Sequence, residues 1–222
     1  MGELDYEQAT PGAPLTQAEA HPFARHSDPS ALHRALHRSA LLVIDLQRAF
    51  TDPEQPPFVR DAPAAVVQAG RLVDAFRRAA RPIVFTRHAH TTPPCGPGMG
   101  RWWSTFVLEG SDASLLDPAL VPLEKDLVLR KEHYSAFRMT DLDPWLRQHA
   151  VETVVIAGTM THICVDTSAR DAFMHGFDVV VVHDACASRP AALHRSSLHA
   201  LSHAFARLAT TDDVVKMLGA MA

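Results

Sequence analysis

The strongest constraint on the fold is a regular alternation between short apolar runs and longer segments with helical spacing. Run 40–45 (ALLVID) is apolar up to its final carboxylate, which is typical of a central strand buried on both faces. Segment 64–80 has apolar residues at helical spacing, and Pro82 prevents its continuation. Further strands are predicted at 82–86, 126–130, 153–157 and 178–183, and further helices at 141–150, 164–175 and 191–209. This alternation predicts a three-layer α/β/α domain with a mainly parallel, Rossmann-like central sheet.

The length and composition indicate one domain that acts on a small molecule. The 222 residues fit a domain at 39–222, preceded by a Pro-rich N-terminal arm at 1–38. A net charge of -4 gives no electrostatic reason to expect nucleic acid or an anionic membrane as a partner. Three cysteines without a C-x-x-C pair indicate a reducing, cytoplasmic location. No signal sequence or membrane helix is expected.

Three reactive side chains follow the ends of separate predicted strands. Asp45 closes the first, Lys131 follows the third, and Cys164 follows the fourth. Ligands of parallel α/β sheets bind beyond the carboxyl ends of the strands. We therefore expect the carboxylate, the amine and the sulfur to meet at one edge of the sheet.

Cys164 has two interpretations. A free cysteine is usually a small buried apolar residue, which is how Cys95 and Cys186 are interpreted. At the start of a helix, however, unpaired N–H groups and the helix dipole favour the thiolate. On this second interpretation Cys164 is a nucleophile with a depressed thiol pKa, and iodoacetamide labels it faster than the other two cysteines near neutral pH.

Asp45 and Lys131 also leave two alternatives open. A carboxylate at the end of an apolar strand is desolvated and needs a partner, which Lys131 can supply as a purely structural ion pair. Alternatively, Asp45 takes the proton of the thiol and returns it to a leaving group, while Lys131 holds Asp45 and the thiolate in place.

Together, three segments resemble the isochorismatase-like cysteine hydrolases, which include nicotinamidase, N-carbamoylsarcosine amidohydrolase and ureidoacrylate amidohydrolase. The resemblance extends over about 38–210, and its segments are ALLVIDLQRAF at 40–50, DLVLRKEHYSAFRMTDL at 126–142 and VVIAGTMTHICVDTSARDAFMHGFDVVVVHDACAS at 154–188. It implies an isochorismatase-like fold and a catalytic triad of Asp45, Lys131 and Cys164. It further implies a cis peptide bond between Thr159 and Met160, and an oxyanion hole formed by the backbone N–H groups of Met160 and Cys164.

The resemblance implies hydrolysis of an amide or ureido C–N bond through a thioester, with release of ammonia or an amine and without a cofactor. It also implies a homodimer or homotetramer. Nicotinamidases of this type have a metal cluster of an Asp and several His after the second strand. Here His88 stands in place of the Asp and His90 in place of the first His, so no metal site is predicted.

Three other functions stay open at this point. Isochorismatases cleave a vinyl ether and usually lack the cysteine, so the presence of Cys164 favours amide chemistry without excluding theirs. A non-catalytic protein with the same fold is expected to lack part of the triad, and all three residues are present. A thiol redox protein needs a resolving cysteine, which Cys186 could supply.

Five further residues are candidates for binding the substrate. They are interpreted either as parts of the pocket wall or as ordinary packing or surface residues, and they are Trp102, Trp103, Tyr134, Phe137 and His162.

Overall fold

The computed structural model of the protein describes residues 30–94 and 96–221. Its strands are β1 (Ser39–Ile44), β2 (Ile83–His88), β3 (Leu127–Lys131), β4 (Thr153–Thr159), β5 (Asp178–Ala187) and β6 (Arg207–Ala209). Its α-helices are α1 (Ser30–Leu36), α2 (Arg48–Thr51), α3 (Ala62–Arg78), α4 (Met99–Trp102), α5 (Leu142–Gln148), α6 (Asp166–Met174), α7 (Ala191–Ala204) and α8 (Thr211–Gly219).

The strands form one sheet in the order β3-β2-β1-β4-β5-β6, and every neighbouring pair is parallel. Strand β1 is buried along its whole length because it pairs with β2 on one side and β4 on the other. The chain order therefore reverses between β1 and β4. In sheets of this type such a switch point opens a crevice at the carboxyl ends of the strands.

Helices cover both faces of the sheet and complete the predicted three layers. On one face, α1, α3 and α8 pack against the alternate β1 residues Leu41 and Val43. On the other, α5, α6 and α7 pack against Leu42 and Ile44. The fold is therefore the predicted three-layer α/β/α arrangement, with a sheet in which all strand pairs are parallel.

Gly158 allows β4 to approach β1 closely at the switch point. Its φ is 138°, and a Cβ atom built on it would lie 2.0 Å from the carbonyl oxygen of Ile44. A β-bulge separates Ile156 from Gly158 in the pairing with β5. A side chain at position 158 would push β4 away from β1, and so would separate the strand ends that precede Cys164 and Asp45.

Two predicted segments differ from the structure. The helix expected at 191–209 ends at Ala204, and the chain then forms edge strand β6 and helix α8. Three residues of edge strand are too few to produce a recognisable alternation of polar and apolar residues. Part of the predicted arm, 30–36, is helix α1, because Leu32 and Leu36 are one helical turn apart and both enter the core. Residues 1–29 of that arm lie outside the described residues.

Within 30–94 and 96–221, no helix has the length and the apolar character that a membrane crossing requires.

Candidate active site

Asp45 lies directly after β1, in the left-handed region with a φ of 48°, and its side chain is fully buried. Two threonine hydroxyls hold it there. The hydroxyl of Thr86 donates to Oδ1 of Asp45 at 2.5 Å and accepts the backbone N–H of Asp45 at 3.1 Å. The hydroxyl of Thr159 donates to the carbonyl oxygen of Asp45 at 2.8 Å. The carboxylate is thus fixed in position by neighbouring strands on both sides.

Lys131, the last residue of β3, forms an ion pair with Asp45 inside the protein. Its Nζ lies 2.6 Å from Oδ2 of Asp45, and neither side chain is exposed to solvent. The ammonium also donates to the carbonyl oxygen of His133 at 3.1 Å. Although burial lowers the pKa of Lys131, Asp45 and Cys164 raise it above its ordinary value. The amine therefore stays protonated, as the carboxylate beside it requires.

Cys164 lies in a π-helical turn, Thr161–Val165, which follows β4 and continues directly into α6. Its thiol interacts with both the ammonium of Lys131 and the carboxylate of Asp45. Three side chains from distant parts of the chain therefore meet at the carboxyl edge of the sheet. This is the spatial arrangement that the strand ends predicted.

The expected thiolate with a depressed pKa is wrong for this state of the site. Burial raises the pKa of Cys164 to about 12, and the neighbouring Asp45 acts in the same direction, while Lys131 opposes it. The position of the cysteine in the first turns of a helix does not outweigh its removal from water. The resting group is a neutral thiol beside a charged pair.

The carboxylate of Asp45 has partners on both oxygens. Oδ1 accepts the hydroxyl of Thr86, and Oδ2 lies 2.6 Å from Lys131 Nζ. The thiol of Cys164 is also within hydrogen-bonding reach of this carboxylate, which is the geometry that a proton transfer between the two needs.

The peptide bond between Thr159 and Met160 is cis, at the position that the resemblance implied. Met160 lies between the end of β4 and the turn that carries Cys164, and both residues line the same cavity.

The cavity has a volume of about 470 Å³ and opens onto Cys164. Its described wall includes Phe50 after β1, the loop residues Trp103, Phe106 and Val107, and Ile163 beside the cysteine. A pocket of this size lies in the range that holds small organic ligands.

The five predicted substrate-binding residues divide into two groups. Trp103 and Tyr134 line the cavity, and Trp103 Nε1 donates to the hydroxyl of Tyr134 at 2.6 Å. Trp102, Phe137 and His162 do not line it. Trp102 is 78% exposed, because the short helix α4 turns it outward.

Phe137 and His162 are held by other contacts. The ring of Phe137 stacks on the ring of His175, and its centroid lies 6.0 Å from the ring centroid of Phe177 within the hydrophobic core. The Nδ1 atom of His162 makes a short hydrogen bond with the hydroxyl of Ser188. These two residues support the structure around the site and do not form its wall.

His88 and His90 are neighbours at the end of β2, with ring centroids 4.9 Å apart. Burial, assisted by the charge of Lys131, lowers the pKa of His88 to about 4, so its ring is neutral. His90 Nδ1 lies 3.9 Å from a carboxylate oxygen of Glu132. Across the described part of the chain, no group of three or more His, Cys, Asp and Glu side chains is arranged to hold a metal ion.

The sequence does not reveal Thr86 as a site residue, and it indicates Thr159 only as part of the cis peptide bond and not as a hydrogen-bond partner of Asp45. Both are fully buried polar residues in central strands. Val43 pairs with Phe85, and Ile44 pairs with Gly158, so each threonine lies one residue beyond the partner of a residue near Asp45. Knowledge of the strand order would have indicated them, but the threonines alone carry no such signal.

A comparison with family models assigns most of the chain to one family. Residues 39–213 match the model of the isochorismatase domain. The protein belongs to the isochorismatase family.

Similar proteins include amidohydrolases. The chain is 33% identical to nicotinamidase 3 of Arabidopsis thaliana, over 81% of this chain and 88% of the relative. It is 31% identical to maleamate amidohydrolase of Pseudomonas putida, over 82% of this chain and 87% of the relative. A cysteine hydrolase structure from Pseudomonas syringae pv. phaseolicola matches with a TM-score of 0.76 and 26% identity, over 83% of this chain and 94% of that one.

Proposed function

We propose that the protein is a cysteine amidohydrolase that cleaves a C–N bond of a small amide or ureido substrate. The observation that carries this proposal is the buried ion pair of Lys131 and Asp45 beside the thiol of Cys164, at the edge of an open cavity. A purely structural ion pair does not need a cysteine beside it that lines a cavity.

The reaction begins with a proton transfer inside the site. The carboxylate of Asp45 takes the proton of Cys164 as the sulfur forms a bond to the carbonyl carbon of the substrate. The ammonium of Lys131 stabilises the negative charge that develops on sulfur. The raised pKa of the resting thiol favours a transfer that accompanies the attack of the sulfur.

The tetrahedral intermediate then collapses to a thioester. Its oxyanion accepts hydrogen bonds from the backbone N–H groups of Met160 and Cys164, by the family resemblance. As the C–N bond breaks, Asp45 returns the proton to the leaving nitrogen, which departs as ammonia or an amine.

Water completes the cycle. Asp45 removes a proton from a water molecule that attacks the thioester carbonyl, the C–S bond breaks, and the proton returns to the sulfur of Cys164. The products are a carboxylic or carbamic acid and a regenerated thiol, and no cofactor takes part.

The relatives support an amidohydrolase. Nicotinamidase and maleamate amidohydrolase are named for cleavage of amides, and an N-carbamoylsarcosine amidase structure from Thermoplasma acidophilum is 30% identical with a TM-score of 0.71. These names differ in their substrates, so they support the reaction class and not one particular amide.

The test is a panel of primary amides, ureido acids and isochorismate, assayed in parallel for ammonia and for pyruvate. We expect ammonia from at least one amide or ureido compound with the unmodified protein, and none above background with Cys164→Ala or Cys164→Ser. Circular dichroism checks that both variants are folded. Pyruvate from isochorismate without ammonia from any amide would replace the proposal with vinyl ether hydrolysis.

A further inference from the structure

The wall of the cavity beside Cys164 is mainly apolar. Aromatic and aliphatic side chains dominate a lining drawn from separate parts of the chain, among them Phe50, Trp103, Phe106, Val107, Met160 and Ile163. Polar side chains, among them Gln55, Thr105 and Ser111, also line the cavity but contribute the smaller part of its surface. Apolar groups of a ligand would lose contact with water on entering.

Contacts with the rest of the protein support this wall. Val107, Ala113 and Met160 pack against a buried hydrophobic cluster that includes Ala49 and Phe50. On another side of the cavity, the hydrogen bond between Trp103 and Tyr134 ties the loop that follows β2 to the segment after β3. A wall supported by such contacts can select a ligand by its size.

The charges around the cavity restrict the ligand further. Among the described residues that line it, none is Asp or Glu, and Arg189 is the one whose side chain is charged at neutral pH. Arg189 is exposed, and its guanidinium reaches the carbonyl oxygen of Pro56 at 3.5 Å. Asp45 and Lys131 balance each other behind the thiol and are closed to solvent. A cationic group on the ligand would have no carboxylate to pair with.

We infer that the substrate carries a bulky apolar acyl group, such as an arylalkyl or cycloalkyl group, and that small ureido acids and small monoamides of dicarboxylic acids are poor substrates. This inference rests on the proposed amidase function, because it assigns the acyl part of the amide to the cavity. A small polar acyl group would leave the apolar wall in contact with water and would gain nothing from it.

The first experiment uses the full chain and a series of primary amides with similar carbonyl reactivity: acetamide, butanamide, hexanamide and 3-phenylpropanamide. Ureidopropionate and maleamate represent the small polar alternatives. We expect kcat/KM for ammonia release to rise at least about tenfold from acetamide to 3-phenylpropanamide, because apolar contacts are gained at every step. A flat series, or a preference for ureidopropionate or maleamate, would overturn the inference.

The second experiment fills the cavity. Ala113→Phe places a ring at the apolar wall and should lower kcat/KM for 3-phenylpropanamide at least about tenfold more than for acetamide. Ala119→Phe, at an exposed position that does not line the cavity, is the matched control and should change neither value. Equal losses for both amides with Ala113→Phe would contradict the inference. The substrate series on the unmodified protein decides the matter even where Ala113→Phe does not fold.

A binding measurement separates the inference from the reaction. Tryptophan fluorescence of Cys164→Ala, titrated with the same amides, should rank their affinities by apolar size. Ranked binding without ammonia release from the unmodified protein would refute the proposed function and leave the apolar specificity standing. Ammonia release that favours the small polar compounds would support the proposed function and refute the apolar specificity. Absence of both binding and turnover across the series would overturn the inference.

Discussion

Cys164 and Cys186 are two free cysteines that are buried to nearly the same degree, with 6% and 7% of their surfaces exposed. Burial raises the pKa of both thiols to about 12. Their neighbours differ. Cys164 faces the ion pair of Lys131 and Asp45, whereas the sulfur of Cys186 lies 4.0 Å from the carbonyl oxygen of Ile156. In this fold, a charged pair beside the sulfur, and not the acidity of the resting thiol, sets the candidate nucleophile apart.

The largest expected effect is the loss of activity when Cys164, but not Cys186, is replaced. Cys164→Ala removes the atom that bonds to the carbonyl carbon, so kcat for ammonia release should fall by more than about a thousandfold. Cys186→Ala removes a sulfur with no part in the reaction and should keep kcat within about threefold. Initial rates on the best amide of the panel measure both. Comparable losses of kcat in the two variants would mean that Cys164 is not distinguished from Cys186 as the nucleophile.

A second test concerns the low thiolate content that Cys164 and Cys186 have in common. At pH 7 a thiol whose pKa is about 12 has roughly a thousandfold less thiolate than a peptide cysteine. Iodoacetamide should therefore modify Cys164 and Cys186 slowly in the folded protein, and faster as the pH rises toward 12. Peptide mass spectrometry over time gives both rates, with the urea-unfolded protein as the control. Labelling of Cys164 at the unfolded rate near pH 7 would show a resting thiolate instead.

The ion pair of Lys131 and Asp45 should also contribute more to the free energy of unfolding than an exposed ion pair does. Lys131→Met leaves the carboxylate of Asp45 buried without its cation, which should lower the free energy of unfolding by about 3–5 kcal/mol. Arg38→Met breaks the exposed pair with Glu152, whose side chains are 63% and 65% exposed, and should cost at most about 1 kcal/mol. Urea titrations of the two variants measure the difference. Equal destabilisation would mean that the pair beside Cys164 is not buried as described.

The smallest effect concerns the threonine that holds Asp45. Thr86→Val keeps the shape of the side chain but removes the hydroxyl bonded to Oδ1, at a cost of about 1–3 kcal/mol in stability. It should also lower kcat more than it raises KM, because the proton acceptor loses its orientation. Thr86→Ser restores the hydroxyl and should recover most of both losses. If Thr86→Ser is as impaired as Thr86→Val, the methyl group matters and the hydrogen bond does not.

The sequence predicted the central strands and the residues at their ends because those signals are local. Buried parallel strands are continuous apolar runs, and Asp45 and Cys164 follow two such runs, while Lys131 ends the short edge strand β3. Features that depend on neighbours across the sheet could not be predicted in this way. The hydroxyl of Thr86 reaches Asp45 only because β1 and β2 are adjacent.

The pKa of Cys164 likewise depends on a local feature that the sequence shows and on tertiary contacts that it does not show. Its place near the start of a helix is readable from the sequence and favours the thiolate. Its burial, and the carboxylate of Asp45 close to it, come from tertiary structure and have the larger effect. The outward turn of Trp102 is likewise a property of the folded loop, since the neighbouring Trp103 lines the cavity.

The most direct measurement of the proposed nucleophile is rapid acid quenching during turnover of the best amide, followed by mass spectrometry of the peptides. We expect an adduct with the mass of the acyl group on the peptide that contains Cys164, absent from Cys164→Ala and from the peptide that contains Cys186. An acyl adduct on any other residue, or undiminished ammonia release by Cys164→Ala, would contradict an attack by the sulfur of Cys164.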